Sequence, residues 1–219
     1  IALHGGIIPV IATFFVFSDY MKPAIRLSAI QELPVKYVWT HDAFRVGEDG
    51  PTHQPIEQEA QLRLLEKLRN HSGKNSFLAL RPADSAETSI AWKMALEKAV
   101  DNPDVVLIAN GSEVATLIAA AEILEAENNF KVNIVSIISE GLFRLQTKEY
   151  QDSIIPHDKP KFGLTAGLPV NLAGLVGDKG QVFGLDHFGY SAPATVLDEE
   201  FGFTGEKVSK EILEFLKTV

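Results

Sequence analysis

Short runs of β-branched and aromatic residues alternate with amphipathic, helix-length stretches along the chain, and this rhythm restricts the fold more than any other feature. IIPVIATFF from Ile7 reads as a strand, Pro23 to Ile30 as helix, and VKYVWT from Val35 as a second strand. After a polar loop, Ile56, Ala60, Leu64 and Leu68 recur every fourth residue on a charged helix. FLALRP from Phe77 reads as another buried strand, and Ala86 to Lys98 returns to helix. A turn-rich stretch at Asp101-Asn102-Pro103-Asp104 introduces a second unit. It opens with the apolar strand VVLIA and continues into a helix with Val114, Leu117, Ile118, Ala121 and Leu124 on one face and Ser112 at its N-cap. KVNIVSII and QVFGLD read as further strands, and a last helix starting near Thr204 turns Val208, Ile212, Phe215 and Leu216 inward. Strands that alternate with helices form parallel sheets covered by those helices. The expected fold class is therefore α/β, with two open, mostly parallel sheets flanked by helices, in domains spanning 1–98 and 99–219.

At 219 residues, 46% of them hydrophobic, the chain can bury a core in each of two small domains. The apolar N-terminal stretch is interrupted by His4, Gly5, Gly6, Pro9 and Thr13, short of the roughly 20 residues a membrane helix needs. With no initiator Met and no basic leader, the chain reads as cut from a longer polypeptide. Cysteine is absent, which excludes disulfides and thiol nucleophiles and fits the cytoplasm. A net charge of −9 argues against nucleic acid, which is bound through clustered Lys and Arg. That charge is uneven: residues 1–98 carry 11 basic and 11 acidic side chains, whereas residues 99–219 carry 9 and 18. An anionic substrate is better tolerated by the first part.

The loop THDAFRVGEDGPTHQP, Thr40 to Pro55, gathers two histidines, three acids, two glycines and two prolines beyond the end of an expected strand. In open α/β sheets, ligands bind at the carboxyl ends of strands. His41 and His53 can donate, accept or shuttle a proton near neutral pH, and Asp49 can accept a bond from a hydroxyl. The set suits a polyhydroxylated substrate. Two other readings stand beside it. Gly47, Gly50 and Pro51 can be turn residues with Thr52 capping the next helix and the histidines merely solvated. Alternatively His41, Asp49 and His53 could ligate a metal, although their spacing matches no zinc pattern.

THDAFRVGEDGPTHQPIEQ resembles the signature of the transketolase pyrimidine-binding domain, and ATFFVFSDY upstream resembles the same domain's cofactor pocket. RPAD, AWK, NGSEV, FGYSAPA and EFGFTGE resemble successive later landmarks of that family, so the likeness covers nearly the whole chain. The resemblance implies a thiamine-enzyme pyrimidine-binding domain followed by a Rossmann-like transketolase C-terminal domain. It implies transfer of a two-carbon ketol unit from a ketose phosphate to an aldose phosphate in the pentose phosphate pathway, with thiamine diphosphate as electron sink. By position, Phe14, Phe17 and Tyr20 would surround the aminopyrimidine ring, which flat apolar faces recognise by stacking. His41 would hold the sugar phosphate and Asp49 a hydroxyl of the aldose, while His53 would contact the ketol oxygens and relay a proton. His4 has a structural role, with Gly5 ending a helix. RPAD reads as a strand-to-helix turn with Asp84 near a cap, and NGSEV as a helix start that needs no ligand.

The family's catalytic glutamate would lie just before Ile1, and the domain that grips the diphosphate through Mg2+ or another divalent cation is absent. Between Trp92 and Val105 a strand with a phosphate-binding arginine is also absent, which predicts a break in the chain between Leu96 and Asp101. The implied partners are sugar phosphates, an N-terminal diphosphate-binding domain and a second copy in a homodimer, without nucleic acid or membrane. Dihydroxyacetone synthase, deoxyxylulose-phosphate synthase and a non-catalytic regulatory subunit are the competing expectations.

Overall fold

The computed structural model describes residues 1–5, 9–90 and 103–219, and they divide into two compact units. The first joins Ile1–Ala79 to His187–Leu197, and the second comprises Leu80–Asp186 and Asp198–Val219. The segment where a chain break is expected, and the AWK motif, lie outside the described residues.

In the first unit, β1 (Val10–Phe14) pairs in parallel with β2 (Lys36–Thr40), in a register that sets Phe14 beside Thr40. The connection runs through a 3-10 turn, Phe15–Phe17, and helix α1 (Ser18–Ile30), which begins five residues before Pro23, so Tyr20 sits in its first turn. Phe15, Ile25 and Leu62 form a core, with Met21, Tyr37, Trp39, Leu65 and Phe77 packed on it. At the N-terminus a 3-10 turn, Ala2–His4, ends at Gly5 with φ 81, a conformation that glycine adopts at little cost.

Helix α2 (Gln58–Glu66) corrects the expected face. Leu64 and Leu68 are 61% and 48% exposed, and the helix instead buries Gln58, Glu59, Leu62, Arg63 and Glu66. The reason is a buried ion network: Arg63 Nε meets Glu59 Oε1 at 2.9 Å and Nη1 meets Glu66 Oε2 at 3.2 Å. Glu66 also accepts from the Ala79 amide at 2.7 Å. A period-four leucine pattern could not register charges that pair with one another in the interior. FLALRP is a second correction, because among the described residues the stretch belongs to no strand. Phe77 still packs on the core of the first unit.

The second unit holds a four-stranded parallel sheet in the order β4-β3-β5-β6, from β3 (Val105–Ala109), β4 (Val132–Ser136), β5 (Lys161–Leu164) and β6 (Gln181–Phe183). All five β3 residues are fully buried, as expected for a parallel strand covered on both faces. Short helix α3 (Ser85–Ile90) starts at Asp84, whose carboxylate accepts from the Glu87 amide at 2.7 Å, while Glu87 accepts from the Ala83 amide at 2.6 Å. This reciprocal arrangement follows the capping-box logic. Helix α4 (Glu113–Asn128) buries Val114, Leu117, Ala120, Ala121 and Leu124, but Ile118 is 46% exposed. Ser112 occupies the N-cap position but its side chain caps no amide; its hydroxyl donates to Glu113 at 2.6 Å. After α5 (Glu140–Arg144) and α6 (Lys148–Ile154), α7 (Val170–Val176) sets Leu172, Leu175 and Val176 against Val106 and Ile108. α8 (Ala194–Phe201) precedes α9 (Gly205–Leu216), which packs on α4 and is capped by Thr204 accepting from the Lys207 amide.

RPAD and NGSEV meet in this unit. Arg81 Nη1 lies 2.6 Å from Glu113 Oε2 and 2.8 Å from Asn110 Oδ1, with Arg81 and Glu113 both buried. A Cβ at Gly111, where φ is +62, would lie 2.7 Å from the Arg81 guanidinium carbon. Breaking a buried pair from one side strands the other charge. Glu113→Ala is therefore expected to lower stability by about 3 to 5 kcal/mol, read as a fall in the urea midpoint at unchanged m-value; an unchanged midpoint would refute the assignment.

Candidate active site at the carboxyl ends of the first sheet

The register of β1 and β2 builds the site. Phe14 ends one strand beside Thr40, which ends the other, and the next residue, His41, turns over the strand end with φ 54. Left-handed backbone is uncommon in a non-glycine residue, and here it returns the imidazole onto Phe14. The two rings stack at 3.7 Å between centroids, 16° from parallel. The following 3-10 turn brings Phe17 to 6.2 Å from Phe14, and Tyr20 follows at 6.1 Å from Phe17 on the first turn of α1. His53 arrives from the far end of the loop and sets its ring edge-on to Phe17 at 5.3 Å and to Phe14 at 6.2 Å. Phe14, Phe17, Tyr20, His41 and His53 thus form one contiguous patch of rings. Tyr20 is 83% exposed, and Phe14, Phe17 and His53 are half-buried. Flat apolar faces open to solvent in this way can receive a planar heteroaromatic ring.

Each histidine leans on the threonine before it. His41 Nδ1 lies 2.8 Å from Thr40 Oγ1, and His53 Nδ1 lies 2.9 Å from Thr52 Oγ1. Thr52 donates its only hydroxyl proton to the Asp49 carbonyl at 3.3 Å. With that bond made, the oxygen accepts from His53 Nδ1–H, and this is the tautomer that leaves Nε2 to take a proton. Asp49 is exposed at the end of the 3-10 turn Phe44–Asp49, and among the described residues no hydrogen bond or ion pair joins its carboxylate to the rings. Among the described residues no group of three His, Asp or Glu is placed to hold a metal ion, so His41, Asp49 and His53 do not form such a centre. Thr52 does not cap the next helix either, because the N-cap of α2 is Glu57.

Sequence reasoning missed the two threonines, although the repeated Thr-His dipeptide was the available signal. It also missed Gln54, which is 2% exposed, and the distant segment beginning at His187. Gln54 Nε2 donates to the Gly47 carbonyl at 3.0 Å and to the Tyr190 carbonyl at 2.9 Å. Ser191 Oγ donates to the Glu48 carbonyl at 2.6 Å.

Comparison with known proteins bears on this geometry. Residues 1–113 match the family described as the transketolase pyrimidine-binding domain, and residues 93–204 match the transketolase-like C-terminal domain. The transketolase of Halalkalibacterium halodurans is 39% identical over 97% of this chain and 37% of its own length. That of Bacillus subtilis is 38% identical over 96% of this chain and 36% of its own. This chain thus spans little more than a third of these relatives. Among solved structures, transketolase from Leishmania mexicana superposes with a TM-score of 0.85 at 33% identity, over 99% of this chain and 35% of that one. Transketolase from Campylobacter jejuni superposes with a TM-score of 0.83 at 32% identity, over 97% and 36% respectively. With its parallel sheets and its patch of rings in the matched pyrimidine-binding region, the chain belongs to the transketolase family.

Proposed function

We propose that this chain supplies the aminopyrimidine wall and the sugar-contacting loop of a transketolase, which moves a two-carbon ketol unit from a ketose phosphate to an aldose phosphate. The observation that carries the reading is the patch of rings from Phe14, Phe17, Tyr20, His41 and His53 at the strand ends. Thiamine diphosphate, when bound, supplies the electron sink for breaking and making the carbon–carbon bond. His41 already covers one face of Phe14, so Phe17 and Tyr20 carry most of the stacking on the aminopyrimidine. His53 Nε2 accepts a proton or hydrogen bond from the ketol hydroxyls, Asp49 accepts from a hydroxyl of the aldose, and His41 donates to the sugar phosphate. Residues 1–98 act as the pyrimidine-binding domain and residues 99–219 as the C-terminal domain.

The diphosphate and its Mg2+ or other divalent cation are held by an N-terminal diphosphate-binding domain outside these 219 residues, and the working enzyme is a cytoplasmic homodimer of the pentose phosphate pathway. No site for the cation is placed among the described residues. Neither nucleic acid nor a membrane enters the reaction; no helix among the described residues is long and apolar enough to cross a membrane.

Two outcomes are expected in a coupled assay with thiamine diphosphate, magnesium and sugar phosphates. The 219-residue chain alone gives no turnover, because an essential part of the constellation is lacking. In the holoenzyme, His53→Ala lowers kcat about a hundredfold, within the range for loss of a general acid–base group. Robust turnover by the chain alone, or an unchanged kcat in the variant, would overturn the assignment. Separately, Phe17→Ala is expected to weaken cofactor binding about tenfold, as loss of a stacking face of roughly 1.4 kcal/mol implies. Titration of the holoenzyme's fluorescence with cofactor measures it, and an unchanged Kd removes Phe17 from the pocket.

A further inference from the structure

We infer that residues 187–192 form a strap that sets the position of the loop bearing Asp49 and His53, with Gln54 and Ser191 as positioning residues. The strap lies in the part of the chain that matches the C-terminal domain, yet it packs in the first compact unit. It thereby gives that domain a part in the sugar site. The inference rests on the reading of Asp49 and His53 as sugar-contacting residues.

The hydrogen bonds fall on both flanks of the functional pair. Ser191 Oγ holds the carbonyl of Glu48, the residue before Asp49. Gln54, the residue after His53, spends both amide hydrogens, one on Gly47 within the loop and one on Tyr190 of the strap. Both partners are carbonyl oxygens, which only the NH2 end of the carboxamide can serve, so the orientation of Gln54 is fixed chemically. Between these anchors, Thr52 ties the Asp49 carbonyl to the His53 ring. The segment that would face substrate is thus clamped at each end and braced in the middle.

Packing leaves the loop little room to move against the strap. A Cβ at Gly50 would lie 3.1 Å from Ser191 Cβ, and one at Gly47 would lie 3.3 Å from the Ala192 carbonyl oxygen. A Cβ at Gly189 would overlap the Gln54 amide oxygen. Gly47 and Gly50 also have φ of 79° and 74°. A loop with two such glycines samples many conformations in isolation, and contacts from outside must select one. The strap supplies those contacts.

The test has two arms. In the 219-residue chain, NMR compares wild type with Ser191→Ala and Gln54→Ala. The amides of Asp49 to His53 and the His53 ring signals are expected to shift and broaden, while the ring signals of His71 and His157 stay in place. In the holoenzyme, the same variants are expected to raise KM for the aldose phosphate about tenfold, since small misplacements of contacting groups are costly, with cofactor Kd unchanged within about twofold. Ser191 is exposed, so its replacement keeps the fold even if Gln54→Ala does not. Loop signals that stay in place in Ser191→Ala overturn the strap, whatever reaction the protein catalyses. An active wild-type holoenzyme whose Ser191→Ala variant keeps its KM overturns the link to the sugar site. A wild-type holoenzyme inactive on sugar phosphates sinks the transketolase reading instead, and the NMR arm still decides the strap.

Discussion

The parallel register of β1 and β2 is the constraint on which the site depends. Because Phe14 lies beside Thr40, the residue after Thr40 can fold back onto the Phe14 ring, and the 3-10 turn after Phe14 presents Phe17 on the same patch. A slip of one residue would reverse the facing of every side chain on the slipped strand and separate these rings. A two-stranded pair has little independent stability. The opposing side chains supply it: Tyr37 stacks on Trp39 at 5.7 Å, Phe15 reaches Trp39 at 5.5 Å, and Ile25 and Leu62 close the core behind them. Alternation along β2 thus does two jobs. Tyr37 and Trp39 anchor the strand, and Thr40 with His41 carries the site.

The fold was legible where burial follows a simple period. VVLIA became the fully buried central strand, the apolar positions of α9 point inward, and Thr204 caps that helix as its position implied. Legibility failed where polar groups satisfy one another in the interior. Arg63 with Glu59 and Glu66 takes the buried side of α2 beside Leu62 and leaves Leu64 outside, and no hydropathy pattern encodes such a pairing. FLALRP looked like a strand because its composition is strand-like, but strand identity also requires a continuous backbone ladder, and the Ala79 amide is taken by the Glu66 carboxylate instead. The rings of the candidate site were legible as a set from the family motif. The Gln54–Tyr190 and Ser191–Glu48 bonds were not, because they join residues 136 and 143 positions apart.

Charge is distributed between the halves in a way that separates stability from chemistry. Residues 99–219 carry the whole net charge of −9, and they contain the buried Glu113 that meets Arg81. The neutral first part carries the ring patch, whose polar groups are imidazoles and hydroxyls. The phosphorylated sugar proposed as substrate would meet no net negative charge from this half of the chain.

The two histidines have the same neighbour but different chemical freedom. The Asp49 carbonyl can take the Thr52 proton, and with that bond made His53 donates from Nδ1 and keeps Nε2 as an acceptor. Thr40 makes no other hydroxyl bond among the described residues, so it can donate to His41 or accept from it, and the His41 tautomer is left to the ligand. An acceptor fixed before substrate arrives suits proton transfer, where reorganisation adds to the barrier. A ring free to become a donor suits a phosphate, which offers only acceptors at neutral pH. On the roles proposed for them, an acceptor carbonyl beside Thr52, which Thr40 lacks among the described residues, gives the two imidazoles different work.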